Sequence, residues 1–224
     1  MSFSVTCLIP ARAGSKGIPN KNLLIYKKLP LICHSILHAQ ASEYISDIVV
    51  STDSEDIARI SRDYGAEVPF LRPPSISADE TLDFPVFEHY LHHLTASNKP
   101  HPDLIVHLRP TSPDRPDGLI DTCITKLVST PRATAIRTVS PVREHPYRMY
   151  YKSAGNHLSP YVKDHPYPYE LRRQDLLPLY YYNCCVDVTR ASTILEARSM
   201  TGSRLIGHEM TDKPRDIDTP SDFL

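Results

Sequence analysis

Residues 8–22 read Leu8-Ile-Pro-Ala-Arg12-Ala-Gly-Ser-Lys16-Gly-Ile-Pro-Asn-Lys21-Asn22, the apolar end of a strand running into a loop that holds three cations among small residues. Gly14, Ser15 and Gly17 let the main chain turn sharply and aim its N–H groups at an anion, while Arg12, Lys16 and Lys21 offer charge at different reach along a polyphosphate. A nucleoside triphosphate suits this composition. The spacing differs from the G-x-x-x-x-G-K-S/T of ATPases, because Gly14 and Gly17 stand three apart and no Lys-Ser or Lys-Thr pair follows. A solvated basic loop is the plainer alternative; cations, glycines and prolines packed directly after a buried strand argue against it.

Outward from this loop, strands and helices alternate. Val5 to Ile9 is apolar without alternation, as expected of a strand covered on both faces, and Pro30 to Ala41 carries Leu31, Ile32, Ile36 and Leu37 at helical spacing. Ile48 to Ser51 repeats the buried-strand pattern. Asp53 or Ser54 can cap a following helix with Ile57, Ile60 and Tyr64 on one face, ended by Gly65. Val86, Phe87, Tyr90, Leu91 and Leu94 mark a third helix, Leu104 to Leu108 a strand, Leu119 to Leu127 a helix and Ala133 to Val139 another strand. The pattern predicts an α/β fold with a mainly parallel sheet, helices on both faces and ligands beyond the carboxyl ends of the strands. Between Val142 and Tyr180 periodicity gives way to Pro, Tyr, His and Arg before Tyr182 to Val188 returns as a strand. The expected organisation is a nucleotide-binding core over residues 1–141, an excursion over 142–180 acting as lid or dimerisation subdomain, and a return to the core over 181–224.

Composition narrows the classes. A net charge of −1 offers no general field for nucleic acid or an anionic membrane. No window approaches the roughly 18 apolar residues of a membrane span, and the opening Met1 to Cys7 lacks a cationic start followed by an apolar run, so a cytoplasmic enzyme is the expectation. Five cysteines without a C-x-x-C pair suggest neither a disulfide framework nor zinc, and eleven histidines without H-E-x-x-H suggest structural or surface roles. Near the carboxyl end Asp216 and Asp218 stand two apart. In an extended segment they face one way and can share a Mg²⁺; alternatively Asp218, before Thr-Pro-Ser-Asp, caps a terminal helix.

The loop at 9–22 closely resembles the signature of acylneuraminate cytidylyltransferases, which make CMP-activated sialic-acid-like sugars. Ile48-Val-Val-Ser-Thr-Asp-Ser-Glu55, Tyr64-Gly-Ala-Glu-Val-Pro-Phe-Leu-Arg-Pro73, Arg109-Pro-Thr-Ser-Pro113, His145-Pro146, Arg172-Arg-Gln174 and Asp216-Ile-Asp-Thr219 are similar to that family's later blocks, in order. The resemblance implies a three-layer fold of the nucleotide-diphospho-sugar transferase (Rossmann-like) type. It implies attack by the anomeric hydroxyl of a 2-keto sugar acid on the α-phosphorus of CTP, with pyrophosphate leaving. It places Arg12, Ser15, Lys16, Lys21, Asn22 and Arg72 on the nucleotide. Lys21 falls on the α-phosphate and the transition-state charge, Arg12 and Lys16 on the departing groups, Asn22 and Arg72 on base and ribose. Asp216 and Asp218 become Mg²⁺ ligands, Asp218 thereby joining Lys21 and Arg12 as catalytic, and a homodimer is implied in which one subunit's excursion closes over its partner's site.

The sugar side departs from the pattern. Arg109 stands where the family has Gln, Asn183-Cys-Cys-Val-Asp187 where it has Asn-Gly-aliphatic-aliphatic-Tyr, and Arg148 where it has Lys, while Arg173 lies on a matching Arg. Arg109, Arg148 and Arg173 are expected to hold an anionic acceptor and Asp187 to read an amine or hydroxyl, unless the arginines pair with Asp164, Glu170 or Asp175. Two rivals follow: a nucleotidyltransferase whose acceptor is a sugar 1-phosphate, and a nucleotide-binding module without turnover.

Overall fold

In the computed structural model, which describes residues 3–14, 18–211 and 215–223, the run Val5–Pro10 forms β1, an interior strand of the sheet. Val5, Cys7, Leu8 and Ile9 are fully buried, which accounts for the missing alternation. After the loop the chain makes a small hairpin, β2 (Ile25–Tyr26) and β3 (Leu29–Pro30), then α1 (Leu31–Gln40), β4 (Asp47–Ser51), α2 (Glu55–Asp63), α3 (Asp83–Ala96) and β5 (Leu104–His107). It continues through α4 (Leu119–Val128) and β6 (Ala135–Pro141) into a second hairpin, β7 (Tyr150–Lys152) and β8 (Leu158–Pro160). It ends with β9 (Tyr180–Arg190), α5 (Ala191–Leu195) and β10 (Leu205–Glu209).

The main sheet has the order β10-β6-β9-β5-β1-β4, and three layers result. Ile32, Ile36 and Ala39 of α1, Ile57 of α2 and Cys123, Ile124 and Leu127 of α4 share one core with the Cys7 and Ile9 face of β1. Leu8, Val49 and Ile105 point to the other face and meet Val86, Phe87, Tyr90 and Leu91 of α3 and Ile194 of α5. Deleting such a side chain, as in Leu8→Ala, costs about 2–5 kcal/mol, because the lost transfer energy is joined by a cavity term. Ser54 caps α2 by accepting from the Ile57 N–H at 3.3 Å, and Gly65 takes φ +89° just beyond its end.

The expected parallel order holds for β1 with β4 and β5 and for β6 with β10, but β9 runs antiparallel to both its neighbours. The excursion explains this. It leaves and re-enters at the same end of β6, where the Val142 N–H donates to the Leu179 carbonyl at 2.9 Å, and no crossover carries the chain back to start β9 in parallel. The edge strand β10 was not anticipated from Leu205-Ile-Gly-His-Glu209, whose apolar content is low because only its alternate residues are half-covered.

Candidate active site

The carboxyl ends of β1 and β5 open onto a pocket of about 230 Å³. It is where an open α/β sheet presents ligand-binding loops. Arg12, Lys21, Asn22, Arg72 and Arg109, far apart in the chain, all line it. Four of the five are cations.

Each is held differently. The Arg12 guanidinium is bonded to the Asp79 carboxylate, and its carbonyl accepts from the Asn22 side-chain amide at 2.9 Å. Buried Asn22 therefore shapes the loop as well as lining the pocket. The Ala13 N–H donates to Asp53 Oδ1 at 2.8 Å, so Asp53 fastens the loop while Ser54 does the capping. Arg72 is 5% exposed and brought in by its own N–H to the Thr52 carbonyl at 2.7 Å; its guanidinium meets only the Ser51 hydroxyl and carbonyl among the hydrogen bonds of the described residues. Burial lowers the Arg72 pKa, opposed by nearby Asp53. A buried guanidinium so held is suited to an incoming anion. Ser15 and Lys16 lie outside the described residues.

Lys21 reaches across to the carboxyl-terminal segment, its ammonium donating to the Ile217 carbonyl at 2.9 Å and Asp218 Oδ1 at 3.1 Å. Ile217 is fully buried with Tyr26 and Leu31, and its N–H donates to the Thr111 carbonyl at 2.8 Å. Alternation along this extended stretch then puts Asp216 and Asp218 on the side opposite Ile217, Asp216 half-buried and Asp218 exposed. The described residues gather no group of three or more His, Cys, Asp and Glu able to hold a metal, so a cation here would complete its shell with phosphate oxygens and water. The pair fits one: Asp216 Oδ1 is buried without a hydrogen-bond partner, and burial, aided by Asp218 against the pull of Thr111 and Lys21, raises the Asp216 pKa. Capping is done instead by Asp222, whose Oδ2 accepts from the Asp218 and Thr219 N–H groups.

At the other end of the pocket, Arg109 donates to Asp83 Oδ2 at 2.6 Å and Asp187 Oδ2 at 3.0 Å. Asp187 is 2% exposed and also accepts the Tyr182 hydroxyl, so it lies behind Arg109 and does not line the pocket. Burial opposes the Arg109 charge, yet Asp187 and Asp83 raise its pKa. The Arg109 carbonyl is pinned by Arg115, a buried guanidinium that also donates to Ser35 Oγ and the Cys185 carbonyl, its pKa lowered by burial to about 10. Asp83 and His107 also line the pocket, and no sequence motif marks them. The available signal is a polar residue inside the apolar run Leu104-Ile-Val-His-Leu108.

Arg148 and Arg173 do not join Arg109 within one chain. They line a separate cavity of about 970 Å³ in the excursion, near His145, Leu177 and Tyr181. The sequence match placed them with Arg109, but the chain leaves the sheet after β6 and carries both away. Of their anticipated partners, Asp175 is taken by Arg172 at 2.7 Å and Asp164 by the Tyr147 hydroxyl at 3.0 Å, while Arg148 donates to the Leu171 carbonyl.

A family model described as cytidylyltransferase matches residues 6–201. The chain is 32% identical over 222 residues to an N-acylneuraminate cytidylyltransferase of Streptococcus agalactiae serotype V, covering 97% of the chain and 51% of that protein. It thus spans about half the length of that streptococcal relative. It is 30% identical over 228 residues to a CMP-N,N'-diacetyllegionaminic acid synthase of Legionella pneumophila, covering 98% and 93%. In fold it is similar to CMP:2-keto-3-deoxy-manno-octonic acid synthetase complexed with CTP, with a TM-score of 0.71 at 15% identity over 97% of this chain and 94% of that one.

Proposed function

Because the chain belongs to the acylneuraminate cytidylyltransferase family, we propose that it transfers CMP from CTP to the anomeric hydroxyl of a nonulosonic, sialic-acid-like 2-keto sugar acid. The hydroxyl oxygen bonds to the α-phosphorus as the bond to the β-phosphate bridging oxygen breaks; pyrophosphate leaves and the hydroxyl proton is released to solvent. The observation that carries this reading is the convergence of Arg12, Lys21 and Arg72 on one pocket at the strand ends. Phosphoryl transfer asks for positioning and charge neutralisation more than covalent help.

Lys21 serves the α-phosphate, Arg12 and Lys16 the departing phosphates, and Ser15, Asn22 and Arg72 the remainder of the nucleotide. Asp216 and Asp218 would hold a Mg²⁺, which supplies Lewis-acid withdrawal at the phosphorus and acidifies a bound hydroxyl. The sugar acid lies toward Arg109. Arg148 and Arg173 reach it only if a second copy lends its excursion, which favours a homodimer. The exposed Tyr151, Tyr161, Tyr167 and Leu177 of that excursion suit such an interface. No helix among the described residues is long and apolar enough to cross a membrane, and we place the enzyme in the cytoplasm.

The sugar 1-phosphate alternative drew on Arg109 as a phosphate ligand. That guanidinium is already engaged by two carboxylates, which weakens its motive. The test is pyrophosphate release with each of the four nucleoside triphosphates, first with N-acetylneuraminic, pseudaminic and N,N'-diacetyllegionaminic acids and then with hexose 1-phosphates. Turnover confined to CTP and a 2-keto acid is expected. Turnover of a hexose 1-phosphate, or CTP binding without turnover of any acceptor, overturns the reading.

A further inference from the structure

The sheet register sets Asp187 of β9 opposite both His107 of β5 and Arg137 of β6, so three polar residues stand in one row. Cross-strand partners on one face lie within side-chain contact. His107 Nδ1 is 3.7 Å from Asp187 Oδ2 and 3.9 Å from Asp83 Oδ2, and Arg137 Nε is 3.7 Å from Asp187 Oδ1. Arg109 bridges Asp187 to Asp83 above the row. Within the row and its bridge the charges cancel, two arginines facing two carboxylates with buried Arg115 outside them, and the His107 pKa is held well below the ordinary imidazole value by burial and by Arg109, which keeps the ring neutral.

Hydrogen-bonding capacity does not cancel. His107 is 2% exposed, lines the pocket, and neither ring nitrogen has a hydrogen-bond partner. Orphaned buried polar atoms are uncommon and ask for a bound group. Beside them the Asp83 side chain is 42% exposed. A carboxylate only accepts hydrogen bonds, and a neutral imidazole accepts through one nitrogen.

We propose that Asp83 and His107 read the acceptor, with Arg109 and Asp187 as the positioning pair behind them, and that they select a sugar acid presenting hydroxyl or N–H donors here rather than a second anionic group. The inference rests on the reading of the protein as a CTP-dependent transferase. The two departures at Arg109 and Asp187 touch and so act as one change. A Gln amide both donates and accepts, whereas here two of Arg109's five N–H donors are taken by Asp83 and Asp187, and the Asp83 carboxylate and His107 ring add accepting groups at the pocket.

The test is steady-state kinetics of the whole chain with CTP and whichever of the three 2-keto acids named above supports turnover. Asp83→Asn is expected to raise the acceptor KM at least about tenfold, the loss of one charge-assisted hydrogen bond, with the CTP KM within about twofold. If the site receives a second anion, removing the Asp83 charge lowers the acceptor KM instead, which overturns the proposal. His107→Leu is expected to raise the acceptor KM likewise while melting no lower than the parent, because an apolar side chain replaces orphaned nitrogens. An unmoved acceptor KM in both variants, or equal shifts in both substrates' KM with a lowered melting point, also overturns it. Absence of turnover by the unsubstituted chain with every acid tested overturns the transferase reading and this proposal with it; the other outcomes overturn this proposal alone.

Discussion

Between Asp83 at 2.6 Å and Asp187 at 3.0 Å, the Arg109 guanidinium has little freedom to turn toward a ligand. Breaking a buried pair by removing one partner leaves an uncompensated charge, at a cost of about 3–5 kcal/mol, more than the pair contributes relative to an uncharged replacement. Urea denaturation should therefore show Arg109→Gln and Asp187→Asn each losing about 3 kcal/mol, and the double variant losing clearly less than the sum. Strict additivity would mean that the two side chains do not interact. Lys21 differs, because its hold on Ile217 duplicates an anchor that the Ile217 N–H already makes to Thr111. Lys21→Ala should lower turnover at least about 100-fold, as for the loss of one preorganised transition-state donor, with little change in melting temperature. Near-normal turnover would remove Lys21 from the chemistry.

Among the strands, β9 has the most unusual construction. Its pairing with β6 shifts register between Arg137 and Val139, and at the irregularity Cys184 takes φ +61°. Asn183 builds this bulge: its Oδ1 accepts from Thr138 Oγ1 at 2.6 Å and the Cys185 N–H at 3.2 Å, while its Nδ2 donates to Ser140 Oγ at 2.9 Å. The left-handed region favours glycine, and a side chain held there costs roughly 1 kcal/mol or more. This explains why the family pattern has Asn-Gly where the chain has Asn183-Cys184. Cys184→Gly should leave stability equal or raise it by up to about 1 kcal/mol, whereas Cys185→Gly, which empties a fully buried site, should cost about 2 kcal/mol. Matching losses at the two positions would contradict the strain at Cys184.

Four histidines, His38, His89, His107 and His208, are held below the ordinary imidazole pKa chiefly by burial, His38 down to about 4. Their depressed folded values set the sign of the pH dependence. The unfolded chain takes up these protons near pH 6.5 while the folded chain refuses them, so the folded state binds fewer. Stability is then complete above about pH 6.5 and falls as the pH drops toward 4. Melting curves between pH 7.5 and 5 should decline on acidification, and His38→Gln should flatten the decline. A flat profile in the unsubstituted chain would mean that these rings are not shielded from protons.

Much of the architecture can be read from local pattern. Unbroken apolar runs signal strands covered on both faces, helical spacing supplies the crossovers, and the cations Arg12 and Lys21 mark a loop that lines the pocket, because each rests on neighbours in the chain. The direction of β9 could not be read that way, since antiparallel pairing there depends on where the excursion re-enters the sheet, and a strand's composition does not encode its direction. Nor could the fate of the arginines. Folding brings Asp83, His107 and Asp187 to Arg109 across separations of up to 78 residues, and it carries Arg148 and Arg173 to another cavity. A side chain's type fixes the charge it carries, but only packing decides whether that charge meets a carboxylate of its own chain or remains for a ligand.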